Sequence, residues 1–389
     1  MTKINRNLFA IDLESGLYDI FQKATRLHQA GRKIIHMEIG KPDFDSPQAA
    51  KEEARKALAE GFVHYTTLNG IPELRQAIAQ KEKRANNIIF DPETEIIVTA
   101  GACEAITCAL IALFEPGDEI IIPSPYFQIY WDAANMLGLK VVEVPLTVEN
   151  DFELDIDSMR QAITNKTRGL IINTPCNPTG KVISLDSLKE ISRLAIDNEL
   201  VVISDETYDQ FVFAGKHYSL RNLPGMKERT VVVNSASKTF SMTGWRIGYL
   251  IADKKFIPYL GKIHQSLSTC ATSFAQRGAA VAFRDCHDFT YNMVREFKLR
   301  RDLLLEGLSK IEGLDCNRPQ GAFYVFPSIK KLGLDDKSFC DLMLDAGVAI
   351  APGSVFGKDY SDYVRISYAC SRQDIKEAVN ILTTTISRL

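Results

Sequence analysis

The chain has 389 residues, beyond the roughly 250–300 at which a single hydrophobic core stops growing, so two domains are expected. Hydrophobic residues at 46% and charged residues at 24% are the balance of an ordinary globular protein. A formal net charge of −3 offers no general attraction for nucleic acid or an anionic membrane, and no run approaches the ~18 apolar residues of a membrane span.

The first residues, Met1-Thr2-Lys3-Ile4-Asn5-Arg6, are not followed by the apolar stretch of a secretory signal, so a cytoplasmic location is expected. On pattern alone residues 1–45 fit either domain. Ser46-Pro47 marks a helix start, with a cap residue and a proline at the first helical position, and Gly61 marks its stop. From residue 95 seven apolar runs follow: Glu95–Thr99, Glu119–Ile122, Lys140–Val144, Gly169–Asn173, Leu200–Ser204, Thr230–Asn234 and Arg246–Ile251. Their Ile/Val-rich, non-alternating character is that of strands covered on both faces. Between them a helix is expected from Glu104 to Pro116-Gly117. Another is expected from near Ser184, with Leu185, Leu188, Ile191 and Leu194 on one face.

Such alternation predicts a three-layer α/β/α large domain with a seven-stranded, mostly parallel sheet, placed at residues 46–286. Ligands are expected outside the carboxyl ends of its strands. From about residue 287 the texture changes to a long helical stretch, Phe289 to Ile311. Short strands follow around Gly321–Phe326, Val348–Ile350 and Val364–Ser367, then a final helix from about Asp374. A smaller α+β domain is expected here, made of residues 1–45 and 287–389. The eight cysteines contain no C-x-x-C and argue against a metal site, and most lie in apolar stretches and read as small buried hydrophobes.

Chemistry gathers at the predicted strand ends. Asn234-Ser235-Ala236-Ser237-Lys238 places a lysine there, with two serines before it and Arg246 after it, a set able to converge on a phosphate. Taken alone, Lys238 reads better as a solvated loop lysine, since lysines are mostly exposed. Gly101-Ala102-Cys103-Glu104 opens a helix whose free N–H groups suit an anion. Asn177 stands in the turn Asn177-Pro178-Thr179-Gly180. Asp205 and Tyr208 follow another strand, where Asp205 is either a functional carboxylate or a helix cap.

In this order, Ser235-Ala236-Ser237-Lys238 with Gly244-Trp245-Arg246, Asn177-Pro178-Thr179-Gly180 and Ser204-Asp205-Glu206-Thr207-Tyr208 resemble the fold-type I, pyridoxal-phosphate-dependent aminotransferases of class I/II. The matching motifs run from Gly40-Lys41-Pro42-Asp43 to Arg365-Ile366-Ser367-Tyr368, nearly the whole chain. The resemblance implies that Lys238 holds the cofactor aldehyde covalently and later moves the proton at the substrate Cα. It implies that Asp205 pairs with the ring nitrogen, that Tyr208 and Asn177 bind the ring's phenolic oxygen, and that Phe127 stacks on the ring. Gly101, Ala102, Ser235, Ser237 and Arg246, with Cys103 beside them, would surround the phosphate. Arg365 and Gly40 would take the substrate carboxylate, with Phe127 and Asn177 adjoining it. Tyr65 would reach the phosphate of a neighbouring subunit's cofactor, which implies a homodimer.

The reaction so implied moves an amino group from an amino acid to a 2-oxo acid by a ping-pong cycle. A C–S β-elimination on the same scaffold is the alternative. A DNA-binding regulator is disfavoured, since no winged-helix segment fits before the cofactor domain. Cys103 stands where some aspartate-using relatives carry a lysine. Neutral donors with apolar or aromatic side chains are therefore expected, with Lys41 as the cation that could still serve an acidic one.

Overall fold

The computed structural model describes Asn7 and residues 17–389, Tyr18 by its backbone alone. Met1–Arg6, read above for a leader, lies outside the described residues. Among the described residues twelve strands form. In chain order they are β1 (Ile35–His36), β2 (Ile96–Thr99), β3 (Glu119–Ser124), β4 (Lys140–Pro145), β5 (Thr167–Asn173), β6 (Val201–Asp205), β7 (Thr230–Ser235), β8 (Gly248–Ile251), β9 (Tyr324–Val325), β10 (Val348–Ala349), β11 (Ala351–Pro352) and β12 (Val364–Ser367).

Strands β2 to β8 make one seven-stranded sheet in the order β2-β8-β7-β6-β5-β3-β4, with only β8 antiparallel to its neighbours. The apolar runs form strands because both faces are covered. Ile97, Ile120, Ile171, Ile203 and Leu250 enter a core on one face, while Ile96, Val98, Leu170 and Val202 enter cores on the other. Burying each such side chain contributes about 1.5–3 kcal/mol. Helix Ala102–Leu113 covers the first face through Ala105, Ile106 and Leu110. Helices Pro72–Asn86 and Leu185–Asp197 cover the second through Leu74, Ile78, Leu188 and Ile191.

Helix ends were read less well than strands. The helix expected from Glu104 starts at Ala102, because Gly101 turns the chain at φ +86° and Glu104 reaches back to the Ala100 N–H. Pro47, not Ser46, is the cap of helix Gln48–Ala59. The Ser46 hydroxyl instead donates to the Ser241 carbonyl and accepts from the Trp245 indole, both at 3.0 Å. At Leu185–Asp197 the expected start holds, with Ser184 Oγ accepting from the Ser187 N–H.

Beyond the sheet, helix His287–Leu308 starts and ends slightly before the stretch expected, and the last helix is Arg372–Ile386. Strands β11, β12 and β9 pair antiparallel, and β1 pairs parallel with β10. Ile35 and Met37 share one core with Phe297, Phe323, Val348 and Ile366. Three of the eight free cysteines are buried (Cys108, Cys340 and Cys370) and five only partly so. The buried-hydrophobe reading therefore fails for Cys103, which lines a cavity. No helix among the described residues is long and apolar enough to cross a membrane.

Candidate active site

The chain leaves β3 for β4 at one edge, then returns to β5 on the other side of β3. Ligands of open α/β sheets bind at such a reversal, beyond the strands' carboxyl ends. A cavity of about 500 Å³ lies there and gathers Asp205, Tyr208, Asn177, Lys238, Phe127 and Arg365. Strand register does part of the work: Asn173 at the end of β5 sits opposite Asp205 at the end of β6.

Lys238 follows β7 in the short turn Ala236–Thr239, which Ser235 caps by accepting from the Ser237 N–H. Its Nζ donates to the Gly40 carbonyl at 2.6 Å. Burial pushes the ammonium down to about 8, and the Arg365 and Arg246 charges push the same way. A lysine so placed offers a neutral, nucleophilic amine close to physiological pH.

Asp205 is buried, and it is not a helix cap, since a turn and not a helix follows it. Its Oδ1 accepts from the Thr207 N–H (3.0 Å) and hydroxyl (2.6 Å), and its Oδ2 from the Tyr130 hydroxyl (2.6 Å). Burial raises its carboxyl above the usual range, against those hydrogen bonds. Among the described residues no lysine or arginine pairs with it. A buried carboxylate lacking a cation fits a ligand that brings one, such as a protonated ring nitrogen. Tyr208 shares a 2.7 Å hydrogen bond with the Tyr324 hydroxyl, and burial holds its phenol well above the ordinary value.

A second fit concerns phosphate. Arg246 lies over the start of helix Ala102–Leu113, so close that a Cβ on Gly101 would strike its guanidinium. Its guanidinium donates to the carbonyls of Thr243 (3.1 Å) and Ala100 (3.2 Å), and no carboxylate pairs with it among the described residues. A guanidinium facing the positive end of a helix is unfavourable unless an anion lies between them. Ala102, Cys103, Ser235 and Ser237 line the cavity together with Arg246. Burial raises the Cys103 thiol, which is thereby neutral at physiological pH.

Arg365, on β12, is only 1% exposed. Its guanidinium lies between the rings of Tyr324 (4.5 Å) and Phe356 (4.8 Å). Nη1 donates to Asn177 Oδ1 at 3.0 Å, Nη2 donates to the Glu38 carbonyl, and Nε has no partner. Two of five N–H donors are thus used, which leaves a buried cation free to take a carboxylate.

Two expected residues do not line the cavity: Gly101, which lies beside the Arg246 guanidinium, and Tyr65, which is 84% exposed. Three contributors went unread in the sequence: Tyr130 and Thr207 on Asp205, and Tyr324 on Tyr208. Only Thr207 had a local signal, an Asp-x-Thr turn in which the side chain binds its own backbone two residues on.

Comparison with known proteins agrees with this geometry. A family model described as "Aminotransferase class I and II" matches residues 32–382. The chain is 46% identical to an aspartate aminotransferase of Pyrococcus abyssi, over 90% of this chain and 91% of that one. It is 43% identical to aromatic-amino-acid aminotransferase 2 of Thermococcus litoralis, over 92% and 93%. The solved aspartate aminotransferase from Thermus thermophilus with maleate superposes with a TM-score of 0.94 at 36% identity, covering 99% of this chain and 100% of that one. These relatives are named for transamination, and none for the β-elimination weighed above. The chain therefore belongs to the aminotransferase class I and II family and is a pyridoxal-phosphate-dependent amino-acid transaminase.

Proposed function

We propose that this transaminase prefers neutral donors with apolar or aromatic side chains, and that Lys238, Asp205 and Tyr208 are its catalytic residues. The observation that carries the site assignment is the pair of buried, ion-unpaired charges, Asp205 and Arg365, facing one cavity with a low-pKa Lys238. When bound, pyridoxal phosphate supplies the electron sink for the pair left at the substrate Cα. Arg365 holds the α-carboxylate, with Gly40 backbone beside it. Lys238 Nζ, once free, takes the Cα proton and returns it. Asp205, fixed by Thr207 and Tyr130, keeps the ring nitrogen protonated. Tyr208 and Asn177 would hold the ring's phenolic oxygen and Phe127 would adjoin the ring. Gly101, Ala102, Cys103, Ser235, Ser237 and Arg246 would hold the phosphate.

The donor preference rests on Leu17, Ile39, Ile106 and Phe127, which give the cavity apolar walls, and on the neutral Cys103 thiol. An acidic donor would bury its distal carboxylate at a cost of several kcal/mol unless a cation met it. Lys41 also lines the cavity and is the one remaining candidate for that cation among its described lining residues. The reading includes a smaller domain of residues 1–45 and 287–389, and a homodimer in which Tyr65 reaches the partner's cofactor phosphate. The test is a panel of aspartate, phenylalanine, methionine, leucine and alanine compared by kcat/KM in the half-reaction. Aspartate leading by tenfold or more would overturn the preference.

A further inference from the structure

A second cavity, of about 390 Å³, lies behind the turn that carries Lys238. Thr239 and Phe240, the residues following Lys238, line it, and Thr290 in its wall donates to the Thr239 carbonyl at 2.8 Å. No aspartate or glutamate lines it, whereas Arg84, Arg295 and Lys298 do. Among the described residues none of these three cations pairs with a carboxylate: the closest polar partner of Arg84 is His287 Nδ1 at 3.0 Å, and Arg295 lies against the Tyr291 ring at 5.7 Å. Lys81 also lines the cavity, but Glu82 and Asp209 hold it.

Unpaired like charges around one hollow repel each other, and an anion relieves that repulsion. A further observation points to a ligand. Thr239 is 2% exposed, and its hydroxyl has no hydrogen-bond partner although the residue lines the cavity. A buried hydroxyl left unsatisfied costs about 1–3 kcal/mol, which an acceptor oxygen in the cavity would recover. Phe213, Val294 and the exposed Tyr291 ring add apolar walls, so the hollow exceeds what a bare inorganic ion needs.

We propose that this cavity is an anion site separate from the active site, taking a small organic phosphate. Its phosphate oxygens meet Arg84, Arg295, Lys298 and the Thr239 hydroxyl, while the organic body lies against Phe213 and Tyr291. Guanidinium groups suit a phosphate because two N–H groups reach two oxygens together.

The probe is phenyl phosphate, titrated by calorimetry into the cofactor-loaded enzyme, whose own phosphate cradle is then filled. Saturable binding at one molecule per chain is expected, at least tenfold tighter than inorganic phosphate. The double variant R84Q/K298Q, altered at two exposed side chains, should keep its basal turnover and bind phenyl phosphate at least tenfold more weakly. Thr239→Val should weaken it severalfold. Absence of saturable binding, or unchanged affinity in the double variant, overturns the site. Equal affinity for phenyl phosphate and inorganic phosphate overturns the organic part of the ligand.

Discussion

Replacing Arg365 by lysine keeps a charge at the proposed carboxylate clamp and removes the planar fork. The structure sets the size of the effect. Nη1 and Nη2 are each tied once, to Asn177 and to the Glu38 carbonyl, and the aromatic pair Tyr324 and Phe356 fixes the plane of the group. A carboxylate can then accept two parallel N–H groups from the guanidinium, whereas a lysine offers one point of attachment. Losing one charge-assisted hydrogen bond costs about 1.5–3 kcal/mol. At 1.36 kcal/mol per factor of ten, Arg365→Lys should lower kcat/KM for phenylalanine about 10- to 160-fold. Most of that should appear as a higher KM if the clamp acts on ground state and transition state alike. Half-reaction kinetics on phenylalanine are the assay, with phenethylamine, which lacks the carboxylate, as control. The control's slow rate should be the same in both proteins. Equal losses for the two substrates, or a loss for phenylalanine below about threefold, would refute the clamp and reassign Arg365 to packing.

With burial holding the Lys238 ammonium at about 8, capture of pyridoxal phosphate by the cofactor-free enzyme should be slow below that pH, where the amine is protonated, and should rise through it to a plateau. A flat rate across that range would contradict the assignment, as would borohydride labelling of another lysine. Asp205→Ala removes one partner of a buried charge pair, worth about 3–5 kcal/mol, so turnover should fall by about two to four orders of magnitude with the fold intact. Near-normal half-reaction rates would reduce Asp205 to a structural turn residue. Cys103→Lys should raise kcat/KM for aspartate relative to phenylalanine, while Lys41→Ala should lower it. No change in that ratio for either variant would refute the reading of the side-chain end of the cavity. Tyr65→Phe should raise the dissociation constant for pyridoxal phosphate by the value of one hydrogen bond to a charged group, and a fully active monomer in sedimentation would exclude the cross-subunit role.

The sequence by itself determined the elements whose cause is local. Seven Ile/Val-rich runs became seven strands, because six are largely buried on both faces and need apolar residues there, while the edge strand β4 is only partly covered. Lys238 and Asp205 were legible because a strand's carboxyl end is a place that pattern alone can find. Cap chemistry was less reliable. Ser46 looked like a helix cap, yet tertiary contacts with Ser241 and Trp245 claim its hydroxyl instead. What only the tertiary structure decided are the meetings of distant residues. Tyr130 reaches Asp205 across 75 positions, Tyr324 reaches Tyr208 across 116, and Asn177 reaches Arg365 across 188. The pairing of β1 with β10 is of the same kind, since both strands are two residues long and carry no period of their own. A residue's type and its immediate neighbours fix what it can donate, accept or bury. Which partner it meets depends on how the sheet, its covering helices and the segment beyond them close on one another, and that choice is not written at any single position.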